Sequence, residues 1–194
     1  DSLVKDGLWD VYNNFHMGNA AELCVKEYKF TREEQDAFAI TSYKRAQKAI
    51  ADGLFKDQIV GVDVQQGKET VKILVDEEPG KAKFDKMAGL RPAFEKDGTI
   101  TAANASKIND GAAATVLMSE SKLKELGKTP MARIVANGHF AHDPKWFTTA
   151  PVTAIKRTLE KAKLKASDID LYEINEAFAN VTMAAMKDLD IPHE

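Results

Sequence analysis

The residues that could do chemistry in this chain are few and are set among small neighbours: Asn175 in Asn175-Glu176-Ala177-Phe178, Ser106 after Ala102-Ala103-Asn104-Ala105, His16 before Met17-Gly18, and Cys24. The Asn175 stretch follows the run 169–174 and precedes 179–189, so it reads as the seam between a strand and a helix. In α/β folds ligands collect at the carboxyl ends of strands, where the next helix begins. An Asn there can offer an amide N–H to an oxygen that gains charge during a reaction, and can equally cap the helix. Ser106 closes a turn whose lack of bulk lets a ligand approach, or simply joins two strands. A lone histidine such as His16 is most often structural. Cys24 lies between Leu23 and Val25 in an amphipathic stretch, with no His or helix-start glycine beside it to lower its pKa, so core packing is its expected role.

The elements that must position these residues change texture along the chain. Residues 1–18 mix aromatics and glycine with polar residues and suit a packed, irregular segment. A helix is expected over 19–28. A second begins at Thr31, where Glu34 three residues on forms a capping box, and ends at Gly53. The alternation Val60, Val62, Val64 in 59–65, answered by 70–75 across Gln66-Gly67-Lys68, predicts a hairpin. Residues 76–86 are charged, contain Pro79-Gly80, and read as a surface loop; 89–94 return to the core. Beyond Gly111 the small and β-branched run 112–118 predicts a fully buried strand, and Ser119 caps a short helix closed by Gly127. A further buried strand is expected at 134–137, a helix from Pro151 to Lys163, and a return to the sheet over 167–174. The expected organisation is a helical, hairpin-bearing unit over 1–108, then α/β segments at 109–129 and 130–194.

Composition narrows the function classes. The chain has 194 residues, 44% hydrophobic and 29% charged, enough to bury a core. With 27 basic against 30 acidic residues and no basic block, it lacks a nucleic-acid footprint. Its apolar runs are far shorter than a bilayer span, so no membrane partner is expected. One cysteine allows no intramolecular disulfide, and an intracellular, reducing compartment is the expected home.

Four stretches occur in one order: His16-Met17-Gly18; Thr101-Ala102-Ala103-Asn104-Ala105-Ser106 with Asn109-Asp110-Gly111-Ala112-Ala113; Asp143-Pro144 leading to Ala150-Pro151-Val152; and Asn175-Glu176-Ala177-Phe178. That ordered set resembles the thiolase family, most closely its acetyl-CoA acetyltransferase (acetoacetyl-CoA thiolase) branch and the mitochondrial type within it, across nearly the whole chain. The resemblance implies an α/β thiolase fold present in part: a loop domain over 1–108 that covers coenzyme A, the end of one thiolase half at 109–129, and the start of the other at 130–194.

The resemblance also implies a reaction: two acetyl-CoA molecules give acetoacetyl-CoA and free CoA, or the reverse. That chemistry needs a thiolate that becomes acylated, a base that removes the α-proton, and donors to each thioester oxygen. By resemblance the acylated cysteine lies ahead of residue 1 and the base with its partner histidine beyond Glu194, so this stretch alone is expected to be inactive. Asn175 would help order a water that stabilises the enolate oxygen, with Ala177 and Phe178 lining the pantetheine channel. His16 marks the acetoacetyl branch, its ring against the pantetheine arm. Leu8, Met17, Phe94, Ala102 and Ile108 would join it, and Ser106 would contact the pantetheine amide. Phe147, after Trp146, matches the border of the acyl pocket, in the form that goes with tolerance of a 2-methyl branch.

No cofactor is implied beyond the coenzyme A thioester, which is the substrate. A potassium ion is implied at Tyr43, Ala102, Ala103 and Ala105, although Lys107 stands where the family commonly has Gly. Lys81, Lys83, Lys86 and Arg91 form a basic patch that could meet the CoA phosphates or stay solvated. A homotetramer is implied, in the mitochondrial matrix or the cytoplasm. Two other readings remain: a CoA-binding or assembly chain without catalysis, and a longer-chain 3-ketoacyl-CoA thiolase.

Overall fold

The computed structural model describes residues 1–109 and 111–193; Asp110, inside the Asn109-Asp110-Gly111 motif, and Glu194 lie outside the described residues. A π-helical turn (Leu3–Leu8) leads into β1 (Trp9–Asp10), which pairs antiparallel with β2 (Phe15–His16). The Asp10 carboxylate makes that reversal, accepting the N–H groups of Tyr12 at 2.9 Å and Asn13 at 3.1 Å. The first helix, α1 (Met17–Tyr28), opens two residues earlier than expected because the His16 ring serves as its cap, Nδ1 accepting the Gly18 N–H at 3.0 Å.

In α2 (Arg32–Ala51) the capping box forms in both directions. Thr31 Oγ1 accepts from Glu34 N at 3.1 Å, and Glu34 Oε2 accepts from Thr31 N at 2.7 Å. The hairpin forms as β3 (Val62–Gln66) and β4 (Glu69–Ile73), turning through Gly67 at φ +63°. The expected surface loop at 76–86 instead contains two short helices, α3 (Glu78–Lys81) and α4 (Phe84–Met87). Pro79 supplies the fixed φ of the first helical turn and is buried, its carbonyl accepting from Gln47 Nε2 at 2.6 Å.

In the second half α5 (Glu120–Glu125) is capped by Ser119 and followed by Gly127 at φ +60°. Then come α6 (Ala150–Ala162), with Pro151 in its first turn, and α7 (Ala179–Leu189). The buried strands expected at 112–118 and 134–137 and the return to the sheet expected over 167–174 do not form: no strand lies there, a 3-10 turn (Ala166–Asp168) begins the last, and Val116 is 85% exposed. A buried strand needs neighbours to pair its N–H and C=O groups. Among the described residues the only sheets are the two antiparallel pairs, so these apolar runs have no partner strand. Asn175 therefore precedes a helix but follows no strand.

The core lies where α1, α7 and the loops around residues 94–105 meet. Ala21, Val25, Ile100, Phe178 and Val181 form its centre, and Asn180 Nδ2 donates to Ala21 O at 3.3 Å between the two helices. A charged group holds it: Glu22, on the same face of α1 as Gly18, Ala21 and Val25, is 1% exposed. Its Oε1 accepts from Thr99 N and Ile100 N, both at 2.8 Å, and its Oε2 accepts from Thr99 Oγ1 at 3.2 Å. Gln35 of α2 donates to the same Thr99 hydroxyl at 2.9 Å. Gly98 lets the loop come this close: a Cβ there would stand 2.3 Å from Glu22 Oε1.

Replacing Glu22 by Ala strands the buried Ile100 N–H and the half-buried Thr99 N–H, and an unmet buried donor costs about 1–3 kcal/mol, so the urea midpoint should fall by the equivalent of at least about 1 kcal/mol; a midpoint within error of the parent would contradict this. Cys24 is fully buried and its thiol is pushed up to about 11 by burial. At pH 8 about one thiol in a thousand is then ionised. Iodoacetamide should leave Cys24 unmodified in the native protein and alkylate it in denaturant, and rapid native labelling would refute the assignment to the core.

Candidate active site

The carboxylate-held loop continues into the small-residue turn. Thr101 N donates to Asn104 Oδ1 at 2.8 Å, and Ala103 N donates to Thr101 Oγ1 at 3.2 Å. Asn104 Nδ2 reaches the buried Asp36 carboxylate of α2 at 3.0 Å, and Asp36 is paired with Arg32 at 2.7 Å. Arg32 in turn donates to the carbonyls of Met87 at 2.8 Å and Leu90 at 3.2 Å. One charged pair thus fixes both the turn and the segment that leads to Phe94.

The far side of the turn zips onto the start of α7. Ala105 and Phe178 make an antiparallel bridge, with Ser106 N donating to Ala177 O at 3.0 Å and Ala179 N donating to Asn104 O at 2.8 Å. Sequence positions some seventy residues apart thereby become adjacent backbone. Phe178 is buried at this junction and anchors a series of rings: its edge meets Phe94 at 5.9 Å and Phe147 at 6.5 Å, and Phe94 stacks on His16 at 4.9 Å. Gly18 makes room, since a Cβ there would fall 2.2 Å from the Phe94 ring. Offset and edge contacts of this kind add to the burial of the rings. His16 therefore holds two structural contacts, the α1 cap and the Phe94 stack, while remaining half-buried.

Of the residues expected at a site, His16, Phe94, Ala105, Ser106, Phe147, Ala177 and Phe178 come together in this way. Met17 follows as the first, half-buried residue of α1. Leu8 and Ile108 do not belong to the cluster; Leu8 is half-buried at the end of the π-helical turn and Ile108 is 80% exposed. Asn175 is exposed, three residues ahead of Phe178 at the N-cap of α7, so it does not cap that helix. Its amide is left for another partner.

Ala102 is exposed while Ala103 is buried, and with Tyr43 they adjoin Lys107. The Lys107 ammonium donates to the carbonyl of Ala102 and, at 3.1 Å, to that of Ala105, and lies 5.9 Å from the Tyr43 ring centroid. These residues do not fit a potassium ion in this arrangement, because a cation already sits on two of the three carbonyls that would hold it, those of Ala102 and Ala105. Among the described residues no group of three His, Cys, Asp or Glu side chains could hold a metal ion. A cavity of about 390 Å³ opens here, lined by Tyr43, Ala103, Ala105, Ser106, Lys107 and Glu176 among others. In the basic patch, Lys81 pairs with Glu77 at 3.3 Å and Glu78 at 3.0 Å, while Lys83, Lys86 and Arg91 are exposed.

Sequence reasoning missed Glu22 and gave Lys107 no role. The signal for Glu22 was its helical register: residues 18, 21, 22 and 25 form one face, and a carboxylate on an otherwise small, apolar face must have an internal partner. For Lys107 the signal was a long cationic side chain directly after a run of small residues whose carbonyls are unshielded.

Residues 1–121 match the thiolase N-terminal domain and residues 128–194 match the thiolase C-terminal domain. The chain is 51% identical over 191 residues to an acetyl-CoA acetyltransferase of Yarrowia lipolytica, covering 98% of this chain and 48% of that protein. It is 50% identical over 193 residues to a mitochondrial acetyl-CoA acetyltransferase of Xenopus tropicalis, covering 98% and 46%. The crystal structure of the Bacillus anthracis acetyl-CoA acetyltransferase superposes with a TM-score of 0.93 at 46% identity, over 97% of this chain and 48% of that one. The chain spans about half the length of the curated relatives it matches. With both domain models matched along it and one fold shared with a solved structure, this chain belongs to the thiolase family.

Proposed function

We propose that the full-length protein carrying this chain is an acetyl-CoA C-acetyltransferase, joining two acetyl-CoA molecules into acetoacetyl-CoA and CoA or running the reverse thiolysis. The observation that carries the reading is the junction of the 104–106 turn with Ala177–Ala179, which sets Ser106, Phe178, Phe94 and His16 along one edge of the core. A pantetheine arm needs such an edge: apolar walls for its methylenes and a few polar groups for its amides.

In this reading the Ser106 hydroxyl bonds a pantetheine amide, His16 and Phe94 flank the arm, and Phe147 borders the acyl group. Asn175, exposed and free of the capping role, orders the water that stabilises the thioester oxygen as it becomes an enolate. Cys24 takes no part, since its buried thiol is held protonated. The acylated cysteine and the base come from other parts of the longer protein. The acetyl-specific branch is favoured over a longer-chain thiolase by the His16-Met17-Gly18 motif, whose His16 ring stacks on Phe94. A homotetramer and an intracellular compartment belong to the same proposal; relatives include two that are mitochondrial by name and one that is cytosolic by name. Among the described residues no helix is long and apolar enough to cross a membrane.

Steady-state kinetics of the full-length protein test the assignment. Replacing Asn175 with Ala should lower kcat roughly 10²-fold or more with little change in KM, the usual result of removing a donor to a developing oxyanion. An unchanged kcat would remove Asn175 from the catalytic machinery. Thiolysis of acetoacetyl-CoA should exceed that of a long-chain 3-ketoacyl-CoA; the opposite order would replace the acetoacetyl branch with the longer-chain one, and absence of both activities would leave a CoA-binding chain.

A further inference from the structure

We propose that Lys107 is a built-in cation: its ammonium occupies the carbonyl cluster of the 102–105 turn against Tyr43, and so makes the protein indifferent to potassium there. The observations are three contacts converging on one Nζ from two parts of the chain. Two are carbonyls of the turn, Ala102 and Ala105, and the third is the Tyr43 ring on α2, 5.9 Å away. An ammonium group has three N–H donors and no acceptor, so two carbonyls and an aromatic face satisfy it on three sides. Glu176 and Asp76 line the same cavity and give it a field that favours positive charge, while Glu78, also in its lining, is paired with Lys81.

A lysine ammonium and an alkali cation compete for such a place on equal terms of charge, since both are monovalent and both take carbonyl oxygens. They differ in tether. Lys107 is covalently attached two residues beyond one carbonyl and five beyond the other, so its head is present at the high effective concentration of a short linker. A free ion would have to displace it and leave an ammonium to be resolvated. The chain therefore carries its own counter-charge for a turn whose carbonyls would otherwise converge without a donor. Ala105 also bridges Phe178, so Lys107 is a positioning residue for the Ser106 edge rather than a group that touches substrate.

Thermal unfolding tests this without any reference to turnover, and so stands or falls apart from the acetyltransferase reading. The full-length protein is melted at constant ionic strength while potassium chloride replaces choline chloride, for the parent and for Lys107→Ala. The parent should show no potassium-specific change in Tm. Lys107→Ala, with its carbonyls uncovered, should gain a saturable rise of about 1–2 °C at ten times the dissociation constant. A potassium-specific rise in the parent, or none in Lys107→Ala, would overturn the proposal. Should Lys107→Ala fail to fold, limited acetylation of the parent read by mass spectrometry decides: Lys107 should label several-fold more slowly than the exposed Lys96, and equal labelling would refute an engaged ammonium.

Discussion

The Glu22 carboxylate is the constraint from which the rest of this structure hangs. It is a charge removed from water, and a buried charge is tolerable only where hydrogen bonds replace its hydration. Two backbone N–H groups and one hydroxyl of the 99–100 segment do so. Because those donors are main chain, the carboxylate fixes the path of the loop and not merely one side chain. The loop in turn delivers the small-residue turn, which the Asp36 and Arg32 pair secures from α2. Backbone pairing with the entrance of α7 then brings the last element in.

The edge proposed to take the ligand carries little bulk. Its side chains are mostly alanine, serine and phenylalanine, and its polar contacts are largely backbone, which suits a long, flexible ligand more than a compact one. The rings from His16 to Phe147 provide the apolar wall, and glycines at 18 and 98 permit the two close approaches on which that wall depends. The lone thiol is sealed in the same core, which separates the architecture of the edge from the nucleophile that a thiolase reaction requires.

Much of this was legible in the sequence wherever the signal was local. The Thr31 and Glu34 box, the Gly67 hairpin, the Ser119 cap, Gly127 and Pro151 each act within a few residues, and each forms as the chain predicts. The family resemblance was legible for the same reason, since its motifs are short and ordered. The runs at 112–118, 134–137 and 167–174 were misread because apolar, β-branched composition states only that a segment would suit burial. Whether it becomes a strand depends on a partner, and none lies beside these runs among the described residues. Glu22 was hidden by a prior, since glutamate on a helix is nearly always solvated. The Ser106 and Ala177 pairing was invisible because no local pattern reports contact across seventy residues.

The central claim is that a turn locked by buried carboxylates and zipped to the start of α7 forms the wall along which a coenzyme A thioester lies. The most direct measurement is a crystal structure of the full-length protein with coenzyme A bound. The account predicts the pantetheine arm running past the Ser106 hydroxyl and the rings of His16, Phe94 and Phe178, with the Glu22 bonds to residues 99 and 100 unchanged. An arm bound against a different face, or a 98–106 loop that rearranges away from Glu22 to admit it, would contradict the account.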